Sequence, residues 1–173
     1  MSLMDLSARD LAKAVRSGAA SPIEALKAAQ ARAEARNPPL NAICLMNPDA
    51  EREAEAVTHR LAAGEDLPLA GVPVLIKDNI WVKGLRITQG SRLFETHIAP
   101  EDAVAVARLR DAGAVILGIT TCSEFGCKGA TSTPLYGVTR NPVDPALTPG
   151  GSSGGSVAAV AAGIVPLSLG TDA

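Results

Sequence analysis

Aromatic side chains are nearly missing from this sequence: Trp81, Phe94, Phe125 and Tyr136 are the only rings of that kind in 173 residues. Base-stacking surfaces need more of them, and a core must come from Ala, Val, Leu and Ile within an apolar fraction of 47%. Histidine is scarcer still, and neither His59 nor His97 stands in a recognisable triad or metal motif. The three cysteines, Cys44, Cys122 and Cys127, cannot all pair. Cys122 and Cys127 also lack C-x-x-C spacing, so reduced thiols are expected. No apolar run approaches the roughly twenty residues of a membrane span, and the longest, 157–167, is broken by Gly163 and Pro166. An excess of one charge is absent too. The 16 basic and 18 acidic residues leave a net charge of −2 with no basic tract, which argues against nucleic acid as a direct partner. The N-terminus, with Asp5, Arg9 and Asp10, has no signal-peptide core. These absences describe an enzyme-like, cytoplasmic chain that needs no metal or disulfide to fold.

Helix and strand punctuation is plentiful by contrast. Ser7 to Asp10 and Ser21 to Glu24 fit the S-x-x-D/E capping box and predict two helices, the first ending near Gly18 and the second before Asn37-Pro38-Pro39. LNAICLM (40–46) predicts a short strand, and 48–63 a polar helix closed by Gly64. GVPVLIKDNI (71–80) carries a buried-strand run that stops at Lys77-Asp78-Asn79. Residues 102–112 read as a helix capped by Gly113, and AVILGI (114–119) as a second buried strand. Continuous apolar strands separated by a helix imply parallel pairing with helices on the sheet faces. The expected fold class is α/β, a mixed, largely parallel sheet covered by helices on both faces. The chain reads as one incomplete domain, with a helical N-terminal part (1–66) and a core part (67–173).

Residues 120–149 hold few periodic apolar positions and many turn formers, and so long an irregular segment inside a compact domain is usually functional. Gly150-Gly151-Ser152-Ser153-Gly154-Gly155-Ser156 then runs directly into an apolar helix, 157–162, and a strand-like IVPLSLG (164–170), in which Leu167 to Leu169 is expected to be a central strand. Glycine-rich loops that open a helix usually bind anionic groups. The nucleotide versions are excluded, because no lysine follows Gly155 and no start position satisfies G-x-G-x-x-G.

Four segments together, GVPVLIKDNI (71–80), YGVTRNP (136–142), TPGGSSGGS (148–156) and VAAGIVPLSLGTD (160–172), resemble the amidase signature family. The resemblance covers residues 70–173 closely and the helical N-terminus loosely. It implies an amide hydrolase with a triad of lysine, a serine in a cis peptide and a nucleophilic serine, working through an acyl-enzyme without cofactor or metal. Matching motifs make Lys77 the base and Ser152 the cis serine. The nucleophile is then expected at position 176, beyond Ala173, so that this chain alone would be inactive. The resemblance further implies an oxyanion hole beginning at Ala173, supporting roles for Thr171, Asp172 and Ser153, and an acyl pocket at Gly126, Cys127, Lys128 and Gly151. The partner it implies is a small amide substrate, and it leaves room for a second copy in a homodimer.

The chemistry can be stated without the family. A serine hydroxyl needs a base, no histidine is placed to serve, and a lysine can do so only if burial keeps it neutral. A Cys-Glu-Lys site built from Cys127, Glu124 and Lys77 leaves GGSSGGS unexplained. Within the family, a free-standing amidase is to be distinguished from the amidase subunit of a glutamine-dependent tRNA amidotransferase. The run TCSEFGCKGA (121–130) departs from the T-x-E-F-A-M-G pattern associated with the transferase, which favours the free amidase. A non-catalytic interaction fragment is the reading from a different class.

Overall fold

The computed structural model describes residues 2–172. Three helices come first: α1 (Ala8–Arg16), α2 (Pro22–Leu40) and, after strand β1 (Ile43–Met46), α3 (Ala50–Ala62). Ser7 and Ser21 accept the N–H groups of Asp10 and Glu24 as N-caps, and Glu24 returns a hydrogen bond to the Ser21 N–H. Both helices therefore start where their capping signals place them.

The end of α2 does not match the expectation. The helix continues through Pro38 and Pro39 to Leu40 and is closed by Asn41 in the left-handed conformation, φ 52°. Asn37 explains the extension. Its backbone carbonyl accepts the Asn41 N–H at 2.7 Å, while its side-chain oxygen accepts the N–H groups of Ala42 and Ile43 at 2.9 and 2.7 Å. Donors that would be orphaned beyond the last turn are thus satisfied by one side chain.

Strand β2 (Pro73–Lys77), helix α4 (Val104–Asp111) and strand β3 (Val115–Thr120) form the parallel unit that the sequence predicts. Every residue of both strands is buried, as continuous apolar runs require in a covered parallel sheet. The small hairpin of β4 (Ser132–Thr133) and β5 (Gly137–Val138) interrupts the irregular segment. Helix α5 (Gly154–Ala161) and β6 (Leu167–Leu169) complete the order.

The main sheet runs β1-β3-β2-β6, with β1 antiparallel to β3 and the other pairs parallel. It is a mixed, largely parallel sheet with helices packed against it. Because β1 pairs with β3, the N-terminal part shares the sheet of the core part. Among the described residues strand β6 pairs with β2. Its residues are half-buried.

Helix α5 begins three residues earlier than its apolar run. Gly154, Gly155 and Ser156 form its first turn and are buried. Glycine is a poor helix former, and close packing overrides that preference here. A Cβ on Gly155 would lie 2.5 Å from the Thr121 carbonyl and 2.6 Å from that of Ala42. Only a residue without a side chain lets α5 approach β3 and β1 so nearly. The other end of α5 is held by α2, where Arg32 donates to the Gly163 carbonyl at 2.8 Å and Arg36 donates to that of Ala162.

Candidate active site

Lys77 is the last residue of β2 and the largest side chain with no exposed surface. The strand's apolar run carries it inward, and its Nζ emerges at the start of the α5 loop. There it donates to Ser152 Oγ at 2.6 Å and to Thr171 Oγ1 at 2.7 Å. Both partners are neutral hydroxyls. Burial therefore pushes the Lys77 amine below its ordinary value of 10.5, against a weaker opposing effect of Cys122. The neighbouring carboxylate is engaged elsewhere. Asp78 accepts the N–H of Thr88 at 2.7 Å, that of Gly90 at 3.1 Å and the Thr88 hydroxyl. Burial raises the Asp78 carboxyl in spite of these bonds.

The serine loop is clamped on several sides. The peptide between Gly151 and Ser152 is cis. The Ser152 carbonyl accepts the Ser123 N–H at 3.1 Å. Thr131 donates its hydroxyl to the Gly150 carbonyl and accepts the Gly154 N–H, at 3.0 and 3.1 Å. A side chain at Gly151 would collide with the backbone of the irregular segment, 2.5 Å from the Lys128 carbonyl and 2.8 Å from the Ala130 nitrogen. The glycines of this loop thus serve close approach of backbone to backbone.

Ser153 and Thr171 are joined reciprocally. The Ser153 hydroxyl donates to the Thr171 carbonyl at 3.0 Å and accepts the Thr171 N–H at 3.2 Å. This clasp fixes the segment after β6 against the loop before α5. Gly126, Cys127, Lys128, Gly151, Ser152, Thr171 and Asp172 then line one pocket of about 330 Å³. The structure so brings together nine of the ten residues singled out from the sequence. The tenth, Ala173, lies outside the described residues.

Cys127 does not form the Cys-Glu-Lys arrangement. Its thiol is exposed and donates to the backbone carbonyl of Glu124 at 3.0 Å, while Lys77 is engaged with Ser152 and Thr171. Cys122 is buried, and burial pushes its thiol up to about 12. A protonated thiol there is no nucleophile.

Sequence reasoning missed three contributors. Asn79 donates to Thr171 Oγ1 at 3.4 Å, Thr131 clamps both ends of the loop, and Ser123 holds the Ser152 carbonyl. Asn79 could have been found from its place two residues after Lys77 at a strand end. Thr131 and Ser123 sit in an aperiodic segment and carry no sequence signal. No helix among the described residues is long and apolar enough to cross a membrane.

A buried lysine whose amine is bonded to two neutral hydroxyls, one of them a serine at the rim of a pocket, has the geometry to take up and pass on a proton, as nucleophilic acyl chemistry requires. The family model for Amidase matches residues 24–173, and the chain belongs to that family. Its relatives include the A subunit of glutamyl-tRNA(Gln) amidotransferase from Deinococcus radiodurans, 50% identical over 166 residues, which is 96% of this chain and 34% of that protein. The protein of the same name from Thermus thermophilus is 45% identical over 95% of this chain and 34% of its own length. Among solved structures, 6-aminohexanoate cyclic dimer hydrolase complexed with substrate matches with a TM-score of 0.87 and 37% identity, covering 97% of this chain and 34% of that one. A bacterial aryl acylamidase of the amidase signature family matches with a TM-score of 0.89 and 33% identity, covering 94% and 34%. The chain spans about a third of the length of the curated relatives it matches.

Proposed function

We propose that this chain supplies the base and the relay of an amide hydrolase, with Lys77 as general base, Ser152 as the serine between base and nucleophile, and an attacking serine at position 176 of a longer polypeptide. The observation that carries this reading is the 2.6 Å bond between the Lys77 amine and Ser152 Oγ in a place where burial favours the neutral amine.

Neutral Lys77 takes the Ser152 proton as Ser152 takes the proton of the attacking serine. The serine oxygen bonds to the amide carbon, and the carbonyl electrons move onto oxygen. Return of the proton through Ser152 to the departing nitrogen breaks the C–N bond, leaving an acyl-enzyme and a free amine. Water then repeats the sequence in place of the serine and releases the acid. Thr171 serves this transfer by accepting an N–H of Lys77, which leaves the amine's lone pair for Ser152. Ser153 keeps Thr171 in position.

The test is Lys77→Ala in the full-length enzyme. General-base catalysis contributes about 10²–10⁴-fold, so hydrolysis should fall at least a hundredfold with the fold retained by circular dichroism. A variant keeping more than about a tenth of the wild-type rate would exclude Lys77 as the base.

A second reading has its own support. The relatives at 50% and 45% identity are named as subunits of a glutamyl-tRNA(Gln) amidotransferase, which weighs against the departure in residues 121–130. Co-purification of partner subunits together with ammonia release from glutamine would establish the amidotransferase reading. Turnover of simple amides by the isolated enzyme would establish the free amidase.

A further inference from the structure

Asp78 is completely buried, and a carboxylate taken wholly out of water is costly unless its oxygens are hydrogen-bonded. The donors that Asp78 meets are three consecutive backbone N–H groups and one hydroxyl. Its side chain accepts the N–H of Thr88 at 2.7 Å and that of Gly90 at 3.1 Å, while its backbone carbonyl accepts the Gln89 N–H at 2.8 Å. The Thr88 hydroxyl donates to the same carboxylate. A carboxylate only accepts, so the Tyr136 hydroxyl, 3.0 Å from that of Thr88, is the donor of that pair. One residue at the end of β2 thus grips a whole turn, 88–90.

That turn is wedged against the segment beside Ser152. Gly90 has φ 68°, and a Cβ on it would lie 2.9 Å from the Cys122 carbonyl and 3.2 Å from the Glu124 nitrogen. Gln89 and Phe125 both hold positive φ, 54° and 52°. The Phe125 N–H donates to the Gln89 carbonyl at 2.8 Å and joins them. Left-handed backbone away from glycine is strained and persists only where its surroundings over-determine it. The bonds of Asp78 to all three residues of the turn do so here. The segment in turn holds the serine loop. The Ser123 N–H donates to the Ser152 carbonyl at 3.1 Å, and a Cβ on Gly126 would stand 3.6 Å from Ser152 Oγ. Lys77 and Ser152 are therefore linked twice, once by amine and hydroxyl and once through Asp78, the turn and residues 122–126.

We propose that Asp78 is a positioning residue of the amide site: its grip on residues 88–90 seats 122–126 against the serine loop and holds Ser152 Oγ within bonding distance of the Lys77 amine. This rests on the reading of Lys77 and Ser152 as base and relay and adds the residue that keeps the two in place. Asp78 acts through position and not through charge. What acts on the Lys77 amine is burial first and Cys122 second. The Asp78 carboxylate, turned toward Thr88 and Gly90, is not among these influences. An amide cannot replace it. Asparagine would set its NH2 group against the N–H of either Thr88 or Gly90, since only a carboxylate accepts at both oxygens.

The full-length enzyme carrying Asp78→Asn is compared with the parent in two ways. Hydrogen exchange is read in peptides by mass spectrometry, and turnover as ammonia release from benzamide or glutamine, whichever the enzyme hydrolyses. Exchange across residues 121–127 should quicken about tenfold or more while that in β2 and β3 stays within about twofold, because local opening is separable from global unfolding. The kcat should fall about 10- to 100-fold, the scale of a misplacement of roughly 1 Å, with KM changed less than about threefold. The pH midpoint of kcat should not move. Thr88→Val, which removes the hydroxyl and keeps the branched shape, should act in the same direction, and Thr88→Ser should restore the parent behaviour. That pair guards against a folding defect in Asp78→Asn. Unchanged kcat in both Asp78→Asn and Thr88→Val would overturn the proposal. So would a shifted pH midpoint, which would make Asp78 an electrostatic partner of Lys77. Exchange that quickens equally in β2, β3 and 121–127 would also overturn it, making Asp78 a stabiliser of the fold at large. Because exchange is read without turnover, the two readings can fail separately. Local quickening in an enzyme whose Lys77→Ala variant keeps its rate would retire the base assignment and keep the coupling. An inactive Lys77→Ala beside an unaltered Asp78→Asn would do the reverse.

Discussion

At the residue scale, one side chain carries two opposed demands. Lys77 has to be neutral to act as a base, and the burial that makes it so also works against the folded state whenever the amine is protonated. Burial lowers its folded value below the ordinary 10.5, so activity should rise with pH as Lys77 loses its proton, with an apparent transition below that of a free lysine. The linkage sign is fixed by the same shift. Stability that depends on neutral Lys77 is fully present only above its unfolded value and is lost as pH falls through the folded one. Lys77→Met, of similar length and no charge, should therefore be more resistant to urea than the parent at neutral pH. That advantage should shrink as pH approaches the lysine's unfolded value. An unchanged or inverted difference would show that the Ser152 and Thr171 bonds outweigh the burial of the amine.

At the element scale, the serine loop and the first turn of α5 depend on the absence of side chains. Gly151→Ala places a methyl against the Lys128 carbonyl and the Ala130 nitrogen, and overpacking of this kind costs about 1–3 kcal/mol. The urea midpoint should fall accordingly, and hydrolysis by the full-length enzyme should fall further than stability does, since Ser152 moves with the loop. This is also the scale at which the sequence was most and least legible. Strands β2 and β3 could be read because buried parallel strands are continuously apolar, and Lys77 stood out because it ends one of them. The glycine loop was recognisable as a set with its neighbours. Where α2 ends was not, because Asn37 acts on Ala42 and Ile43 through a geometry that proline content conceals. The start of α5 was hidden by glycines whose helical state is imposed by packing. Thr131 and Ser123 hold the loop through contacts that no local periodicity encodes.

At the scale of the whole molecule, a charged cluster joins elements far apart in sequence. Glu53 on α3 accepts the Ile116 N–H of β3 at 3.0 Å and the Asn47 side chain at 2.8 Å, and pairs with Arg110 of α4 at 2.6 Å. Arg110 also pairs with Asp102, whose other oxygen accepts the Lys83 N–H at 2.7 Å. Hydrogen bonds to charged groups are worth about 1.5–3 kcal/mol each in mutational series. Glu53→Ala should therefore lower unfolding free energy by about 2 kcal/mol or more, measurable in urea, and hydrogen exchange at the Ile116 amide should quicken. A loss below about half a kcal/mol would place the cluster among ordinary solvated surface pairs.

The two arginines of α2 that grip the far end of α5 set an order of assembly on the ribosome. Arg32 and the Gly163 carbonyl are 131 residues apart, so at synthesis rates of about 5–20 residues per second the arginine emerges roughly 7–26 seconds before its acceptor exists. During that interval α2 can cap itself and β1, β2 and β3 can pair, but the helix that presents Ser152 has nothing to dock. Ser152 thus reaches Lys77 on a platform of strands already built. A nascent chain in which β3 has left the ribosome and Ser152 has not should already shield the β2 and β3 amides while Lys77 still lacks its partner.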